Sequence, residues 1–414
     1  MPKIPEIVLA KRLYFASGEH KYRSRPAVRV ALAAMIVGVM VMILTLCIVV
    51  GFKQTITDKI AGFDAHMQVV NFETNDSYDL QPILVTEELI ADLEQCEHVT
   101  SVAPFISKPG ILKTDSAFHG MVLKGTDYWP FFQENLVSGT LPQAPQEVLL
   151  STGVAQQLQL QTGDVVLGHF VEGNDVRTRT LRISGLYSSG FAQYDDIYVL
   201  TTLETMRSFL KKEERDHHYS GIDIRVDELS HLEAAYEAVF EEVSYEPYDE
   251  NGIKHFYFVK QIYEKNPKIF MWLDLFDMNV IIIIVLMLLV SGFSIVSGLI
   301  IMILESVQFI GTMKALGANN GFIRRIFMIQ ASLLIGKGLL WGNIIGFGLA
   351  VLQYFGHVIP LEAATYYVNT VPIAFPWEWL VMMNAVTVCL SLTILLLPSM
   401  IISKISPAKV MHFE

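Results

Sequence analysis

The sequence predicts a membrane α-helical protein in which a large α+β domain is inserted between helices 1 and 2 of four transmembrane helices. Hydrophobic residues make up 52% of the 414-residue chain, and its mean hydropathy is +0.41. These values are too high for an ordinary soluble protein and too low for a chain that lies wholly in a bilayer. Four apolar runs also reach the roughly 20 residues that a helix needs to cross hydrocarbon.

The apolar runs set the predicted domain boundaries. The first run is predicted to be a signal anchor, because its apolar core exceeds the roughly 7–15 residues of a cleaved signal peptide and no convincing small-residue cleavage site follows it. The predicted segments are an amphipathic leader (1–27), helix 1 (28–52), the inserted domain (53–275), helix 2 (276–304), a short connection (305–325), helix 3 (326–355), a second loop (356–376), helix 4 (377–402) and a tail (403–414).

Basic residues near the runs predict how the chain is oriented. Seven Lys and Arg residues lie within 1–29, three lie between runs two and three, and none lies between runs three and four. Because Lys and Arg accumulate in cytoplasmic loops, both termini and the 305–325 segment are predicted to be cytoplasmic. The inserted domain at 53–275 then faces the other side of the membrane.

The inserted domain is strongly acidic, with 17 Lys and Arg residues against 35 Asp and Glu residues within 53–275. This balance argues against nucleic acid or anionic lipid as its partner. Cys47 and Cys389 fall in apolar runs and Cys96 is the single cysteine of the domain, so no intrachain disulfide is predicted. No catalytic centre and no metal site are predicted, and His66 is too isolated to indicate a metal ligand.

Alternating or short apolar runs within the domain predict strands, and amphipathic segments with a capping residue predict helices. The predicted strands are Met67–Val70, Ile111–Leu112, Gly120–Lys124, Val165–His169, Thr180–Ile183, Asp196–Leu200 and Gly221–Val226. The predicted helices are Thr86–Cys96, Thr201–Leu210 and His231–Phe240. Asp195 and Asp196 are predicted to lie on a solvated strand edge, because no second carboxylate or base accompanies them.

The short basic segment between runs two and three is the first candidate site. Gly317 is predicted to end the helix that carries Lys314, with Leu316 directly before the glycine. Asn319 is predicted to cap a new short helix that runs from Asn320 to about Phe327. That helix would expose Phe322 and Ile323 on one side and the basic pair Arg324 and Arg325 on the other. Such a surface suits docking into a groove of a cytoplasmic partner; the alternative is a basic loop that only fixes topology.

Small residues within the runs predict where helices approach one another closely. The candidate packing glycines are Gly38, Gly292, Gly298, Gly338, Gly342 and Gly346. The first run also carries a methionine-rich surface, Met35 and Met42 included. There, Met40, Leu44 and Ile48 could accommodate acyl chains or could simply face lipid.

Lys337 is an ionisable residue about a dozen residues into the third run. A charge at that depth suggests a function, although a lysine near an interface can also extend its ammonium to water. The surrounding sequence lacks the phosphate-binding G-x4-G-K-[ST] pattern, so no ATPase is predicted in this chain.

Several segments resemble known permeases. The pattern I-G-x-x-K-A-L-G-A at Ile310–Ala318 resembles the coupling segment of FtsX/MacB-type ABC transporter permeases, with Phe309 where that family usually has an acidic residue. The segments EVLLSTGVAQQLQLQTGDVVLG and ISGLYSSGFAQYDDIYVL resemble periplasmic core domains of the same group. The segment GFKQTITDKIAGFDAHMQVV and the C-terminal pattern with Tyr366, Tyr367 and Pro372 resemble lipoprotein-releasing permeases of the LolC/LolE type. In that C-terminal pattern, His412 replaces the usual Arg.

The resemblance implies a non-catalytic permease subunit of an inner-membrane ABC transporter that extracts lipoproteins from the outer leaflet, with its inserted domain in the periplasm. It implies a cytoplasmic ABC ATPase dimer that binds ATP and Mg, a second permease protomer (a copy of this chain or a paralogue) and a lipoprotein substrate. The ATPase-coupling residues implied are Lys314, Leu316, Gly317, Asn319, Phe322, Ile323, Arg324 and Arg325.

Three further possibilities stay open from the sequence. In the LolC branch a proline-bearing hairpin hooks a periplasmic lipoprotein carrier, whereas segment 168–178 has no proline and a simple Gly173-Asn174 turn. An FtsX/MacB-type permease for peptide or toxin export, or for gating a cell-wall hydrolase, shares the coupling segment. A membrane-anchored receptor without an ATPase would tolerate charge reversal at Arg324 and Arg325.

Overall fold

A computed structural model describes residues 25–72, 80–172, 175–210, 217–244 and 257–396. Most of the predicted leader, the whole predicted tail and the Gly173-Asn174 turn lie outside these residues. The chain divides into two compact units, and each is described by itself. Of the described residues, those within 1–54, 272–359 and 371–414 form the helical unit, and those within 55–271 and 360–370 form the α/β unit.

The helices are numbered here in chain order over the described residues. They are α1 Arg25–Asp64, α2 Glu87–Gln95, α3 Pro130–Glu134, α4 Thr152–Leu158, α5 Ala192–Asp195, α6 Leu203–Arg207, α7 Leu232–Ser244, α8 Ile262–Lys265, α9 Pro267–Glu305, α10 Val307–Ala315, α11 Asn320–Gly356, α12 Ala363–Tyr366 and α13 Trp377–Ile394, with a 3-10 turn at Leu229–His231.

The strands are numbered in the same way. They are β1 Met67–Asn71, β2 Ile83–Leu84, β3 Val99–Lys113, β4 Phe118–Gly125, β5 Leu136–Gly139, β6 Glu147–Ser151, β7 Val165–Glu172, β8 Asp175–Tyr187, β9 Tyr198–Thr201, β10 His218–Tyr219, β11 Gly221–Val226 and β12 Tyr257–Gln261.

Within the part of the chain that the structure describes, four helices, α1, α9, α11 and α13, are long and apolar enough to cross a membrane. Helix α1 has 40 residues and α9 has 39. At about 1.5 Å per residue each spans about 60 Å, roughly twice the thickness of the hydrocarbon layer. Both helices are therefore longer than a single crossing requires.

The helical unit has one hydrophobic core, to which α1, α9, α10, α11 and α13 contribute. Met35 and Met42 are fully buried in this core. The prediction of a methionine-rich surface that includes Met35 and Met42 is therefore wrong, because both side chains fill space between helices. Unbranched, flexible Met side chains suit such irregular gaps.

The α/β unit is built on a mixed sheet of ten strands among the described residues. Its order is β12-β1-β11-β3-β4-β9-β6-β8-β5, with β7 paired to β3 and β8. The β4–β9 and β6–β8 pairs are parallel and the other pairs are antiparallel. Strand β3 has 15 residues and pairs with β11 through its first part and with β4 through its second, so it joins the two halves of the sheet.

Each predicted strand and helix of the α/β unit overlaps an observed one. Strands β2, β5, β6, β10 and β12 have no counterpart among the predictions. The prediction for Asp195 is wrong, because Asp195 ends helix α5 and only 8% of it is exposed. Its neighbour Asp196 is exposed but precedes β9 rather than lying in it.

Candidate functional site

The turn between α10 and α11, residues 316–319, is here named the coupling turn. Gly317 has φ +90°, a left-handed conformation that glycine adopts without strain. Ala318 N donates to Met313 O at 2.9 Å, which closes the end of α10. Asn319 is extended (φ −79°, ψ 159°), and its Oδ1 accepts a hydrogen bond from Phe322 N at 2.7 Å. This is the side-chain cap expected of Asn at a helix N-terminus.

Helix α11 runs without a break from Asn320 to Gly356. The prediction of a separate short helix ending near Phe327 is therefore wrong. The segment after Phe327 contains no proline, and its glycines do not end the helix. The coupling turn thus leads directly into one of the four membrane-length helices.

Burial changes the predicted docking surface. Ile323 is fully buried in the helical core and Phe322 is half-buried against it, so the prediction of an exposed Phe322–Ile323 pair is wrong. Leu316, in contrast, is 78% exposed at the tip of the turn. A large apolar side chain with that exposure is free to enter a pocket of another protein.

Polar and basic residues lie near Leu316 in the sequence. Gly317 and Asn319 are exposed with it, whereas Lys314 is half-buried on α10. On the first turns of α11, Arg324 is half-buried and Arg325 is exposed. The accessible part of the segment therefore combines an apolar residue, Leu316, with the positive charge of Arg325 on the first turns of α11.

Three of the predicted packing glycines lie one above another on α11 and face α1. A Cβ at Gly342 would lie 2.7 Å from Val39 Cβ, far closer than side chains allow. The three glycine positions and the α1 residues that they face are Gly338 with Met35, Gly342 with Val39, and Gly346 with Ile43. The four-residue spacing on both helices brings their axes close along one stripe.

The other three predicted glycines lie at separate helix contacts. Gly38 on α1 faces Ser291 of α9, and a Cβ at Gly298 would lie 3.0 Å from Ala31 Cβ. Gly292 faces Ile394 of α13. Small residues therefore allow close approach between α1 and α9 as well as between α1 and α11.

The predicted acyl-chain residues Met40, Leu44 and Ile48 are half-buried on α1. Leu44 and Ile48 pack against the helical core. Lys337 is half-buried on α11, one position before the Gly338 contact with α1.

The end of the second loop (356–376) crosses α1 at Gly51, the first residue of the segment that resembles lipoprotein-releasing permeases. A Cβ at Gly51 would lie 2.7–2.8 Å from backbone atoms of Pro372, Ile373 and Ala374. Ala374 N donates to Cys47 O at 3.0 Å. Only a glycine lets the two backbones meet here.

Residues 360–370 belong to the α/β unit, although the chain on both sides of them belongs to the helical unit. Tyr367 O accepts a hydrogen bond from Lys59 Nζ at 3.0 Å, and the Tyr367 ring meets Phe191 edge-on at 4.8 Å. Gly190 lies close to Lys59 Nζ and Asn369. Three sequence-distant segments that carry the resemblance therefore meet in space.

A buried ionic network encloses the C-terminal end of α1 within the α/β unit. Lys124 is 3% exposed and donates from Nζ to Asp223 Oδ2 at 2.7 Å and to Phe63 O at 2.6 Å. Asp64 accepts from Lys265 Nζ at 2.7 Å and from the Tyr194 hydroxyl at 2.6 Å. Lys124, Asp64, Lys265 and Tyr194 line a cavity of about 370 Å³.

This network is absent from the predictions made from the sequence. Lys124 and Asp223 stand in separate strands 99 residues apart, β4 and β11, and only the sheet order brings them together. The sequence feature that could have indicated the network is a charged residue within each of these two apolar strands, because a buried charge needs a partner.

Comparison with known proteins identifies the family. The MacB-like periplasmic core domain matches residues 30–240, just over half of the 414-residue chain. The chain belongs to this family. The FtsX-like permease C-terminal family matches residues 281–407, which make up most of the remaining chain.

Relatives match this family member over nearly its whole length. The lipoprotein-releasing system transmembrane protein LolC of Neisseria meningitidis is 20% identical, and the alignment covers 93% of this chain and 94% of that LolC. The corresponding LolE of Haemophilus influenzae is 24% identical and covers 90% and 91%. The crystal structure of the periplasmic region of MacB from Actinobacillus actinomycetemcomitans aligns with a TM-score of 0.36 and 17% identity, over 51% of this chain and 95% of that one.

Proposed function

We propose that this chain is the permease subunit of an ABC transporter that extracts lipoproteins from the outer leaflet of the bacterial inner membrane. The observation that carries the proposal is the similarity to both a LolC and a LolE, which extends over at least nine-tenths of each chain. The two family matches and the four membrane-length helices support the same kind of protein.

The driving force in this proposal comes from a separate cytoplasmic ATPase dimer that binds ATP and Mg. The chain itself is non-catalytic. The coupling turn is the proposed contact, with Leu316 entering an apolar pocket of the ATPase and Arg325 beside it meeting an acidic rim. An apolar anchor surrounded by charge is a common arrangement at protein interfaces.

Movement of the ATPase would then pass through the helices. The coupling turn leads without a break into α11, and α11 packs on α1 along the Gly338–Gly342–Gly346 stripe. A displacement of α11 would therefore displace α1. Met40, Leu44 and Ile48 on α1 are the residues proposed to face the lipoprotein acyl chains.

The proposed assembly contains two permease protomers, the second being a copy of this chain or a paralogue. Both termini and the coupling turn are proposed to be cytoplasmic, and the α/β unit to be periplasmic. The hairpin of β7 and β8 is the proposed contact for a periplasmic lipoprotein carrier. Its strands pair from Val165 with Arg182 to Glu172 with Asp175.

The ATPase contact is tested by purifying the tagged chain from its native membrane in mild detergent and quantifying what comes with it. We expect a cytoplasmic ABC ATPase and triacylated lipoproteins with the wild type. Leu316→Asp should reduce the recovered ATPase at least tenfold, because it places a charge in the proposed apolar pocket.

Val137→Asp is the matched control, because Val137 is also a strongly exposed apolar residue but lies on β5 of the α/β unit. It should leave ATPase recovery unchanged. Recovery of the ATPase without acylated proteins would favour the peptide-export or hydrolase-gating alternative. An intact preparation without any ATPase would contradict the transporter proposal.

A further inference from the structure

Three potential metal ligands meet at one corner of the α/β unit. His98 directly precedes β3, Asp227 directly follows β11, and His231 ends the 3-10 turn before α7. Asp227 N donates to His98 O at 3.1 Å, which continues the pairing of β11 with β3. The backbone therefore fixes where His98 and Asp227 lie with respect to each other.

The side chains converge on the carboxylate of Asp227. His98 Nδ1 lies 3.2 Å from Asp227 Oδ2, and His231 Nδ1 lies 3.0 Å from Asp227 Oδ1. The two imidazole rings are stacked with centroids 3.9 Å apart and planes at 24°. One ligand atom from each of the three residues lies within 4.8 Å of the others.

These separations suit a metal ion. Zinc bonds are about 2.0–2.1 Å to imidazole nitrogen and about 2.0–2.2 Å to carboxylate oxygen. Two such bonds place their ligand atoms about 3.0 Å apart at a right angle and about 3.4 Å apart at the tetrahedral angle. Both nitrogen-to-oxygen distances at Asp227 already fall in that range.

The surroundings favour a cation that arrives from solvent. The side chains of His98, His231 and Asp227 are 26%, 38% and 41% exposed, so the imidazoles have room to rotate from their stacked arrangement toward an ion. Glu97 lies 3.6 Å from His98 Nε2 and Glu228 adjoins Asp227, which adds negative charge nearby. Water can complete the coordination on the open side.

We propose that His98, Asp227 and His231 bind a divalent transition-metal ion, and that Zn²⁺ is the ion that suits them. Two imidazoles with one carboxylate form a donor set that zinc accepts readily. The bound ion joins the start of β3, the end of β11 and the start of α7. It therefore stabilises the attachment of α7 to the sheet.

The test is a Zn²⁺ titration of the full-length chain, purified in detergent through a tag without histidine and treated beforehand with a chelator. A chromophoric zinc chelator of known affinity competes for the metal. We expect the wild type to take one equivalent of Zn²⁺ from it. His231→Gln and His98→Asn should each weaken that binding at least tenfold.

The variants are chosen so that they fold. His98 has φ +65°, a conformation that Asn tolerates better than most residues. Asp227 Oδ1 also accepts from Glu228 N at 2.6 Å, and Asp227→Asn keeps an acceptor there while weakening a metal bond. His119→Gln is the matched control, because His119 is a partly exposed histidine of the same unit that bonds to Asp196 O at 2.6 Å.

Thermal unfolding gives a second readout. Zn²⁺ should raise the melting temperature of the wild type and of His119→Gln, and should leave His231→Gln unchanged, while all three melt alike in chelator. Equal Zn²⁺ affinity in the wild type, His98→Asn and His231→Gln would overturn the proposal. So would an equal loss of binding in His119→Gln.

Discussion

Asp195 ends helix α5, and its carboxylate accepts hydrogen bonds from the backbone N and the hydroxyl of Ser189. Burial raises its pKa to about 6, although the Ser189 hydrogen bonds and the charge of Lys59 act in the opposite direction. Because the folded-state pKa lies above the ordinary value, the ionised carboxylate costs stability at neutral pH. That cost disappears as the pH falls through 6 towards the ordinary value.

Asp195→Asn removes the buried charge and keeps an acceptor for Ser189. We expect the variant to melt at a higher temperature than the wild type at pH 7.5, by the equivalent of about 1–3 kcal/mol. The difference should shrink when both proteins are measured at pH 4.5, where the wild-type carboxyl is mostly protonated. Scanning fluorimetry of the full-length chain in detergent measures it.

His66 titrates in the same pH range, since burial and the charge of Arg225 lower its pKa to about 4. It does so in both proteins, so its effect cancels in the comparison. A melting difference that stays constant between pH 7.5 and pH 4.5 would contradict the assigned environment of Asp195.

At the scale of elements, the C-terminal end of α1 is neutralised by two cations of the sheet. Lys124 donates to Phe63 O, and Arg225 Nη2 reaches Ala61 O and Gly62 O at 3.5 and 3.4 Å. The last carbonyls of a helix have no partner within it and carry its negative dipole end, so cations stabilise them. The sheet therefore fixes the end of the longest helix.

Lys124→Met should destabilise the protein strongly, because Asp223 would remain buried without its cation. Breaking a buried ion pair from one side costs about 3–5 kcal/mol, which corresponds to a fall in melting temperature on the order of 10 °C for a unit of this size. Adding Asp223→Asn to Lys124→Met removes the orphaned charge. The double variant should therefore melt at a higher temperature than the single one.

Thermal unfolding of the wild type, both single variants and the double variant completes the cycle. Asp223→Asn could lower the melting temperature of Lys124→Met by as much as it lowers that of the wild type. The two residues would then not be coupled. That result would contradict the network.

The coupling turn illustrates what the sequence could predict among the elements. Gly317 and Asn319 have local preferences that indicate a helix end and a cap, and both act in these ways in the structure. The burial of Ile323 could not be predicted, because it depends on which helices pack beside α11. Periodicity likewise indicated a glycine face but not its partner on α1.

Contacts between distant segments were beyond prediction for the same reason. His98 and Asp227 are 129 residues apart, and only the pairing of β11 with β3 makes them neighbours. No spacing rule for metal ligands covers such a separation. The same holds for the meeting of Lys59, Gly190 and Tyr367.

At the scale of the whole molecule, the chain is a member of the MacB-like periplasmic core domain family, and its residues 281–407 match the FtsX-like permease C-terminal family. Hydropathy predicted the four membrane-length helices of the described residues. The α/β unit, however, also takes in residues 360–370, which were predicted to be part of a separate loop between helices 3 and 4. The proposed role in lipoprotein release rests on similarity over at least nine-tenths of the chain, and the proposed mechanical coupling rests on the coupling turn.

The most direct test of this account is a release assay with the chain and its ATPase reconstituted in liposomes that carry a labelled triacylated lipoprotein. We predict ATP-dependent release of the lipoprotein, reduced at least tenfold by Leu316→Asp and unaffected by Val137→Asp. The central claim would be contradicted if Leu316→Asp left release unchanged. It would also be contradicted if an intact complex hydrolysed ATP but did not release the acylated protein.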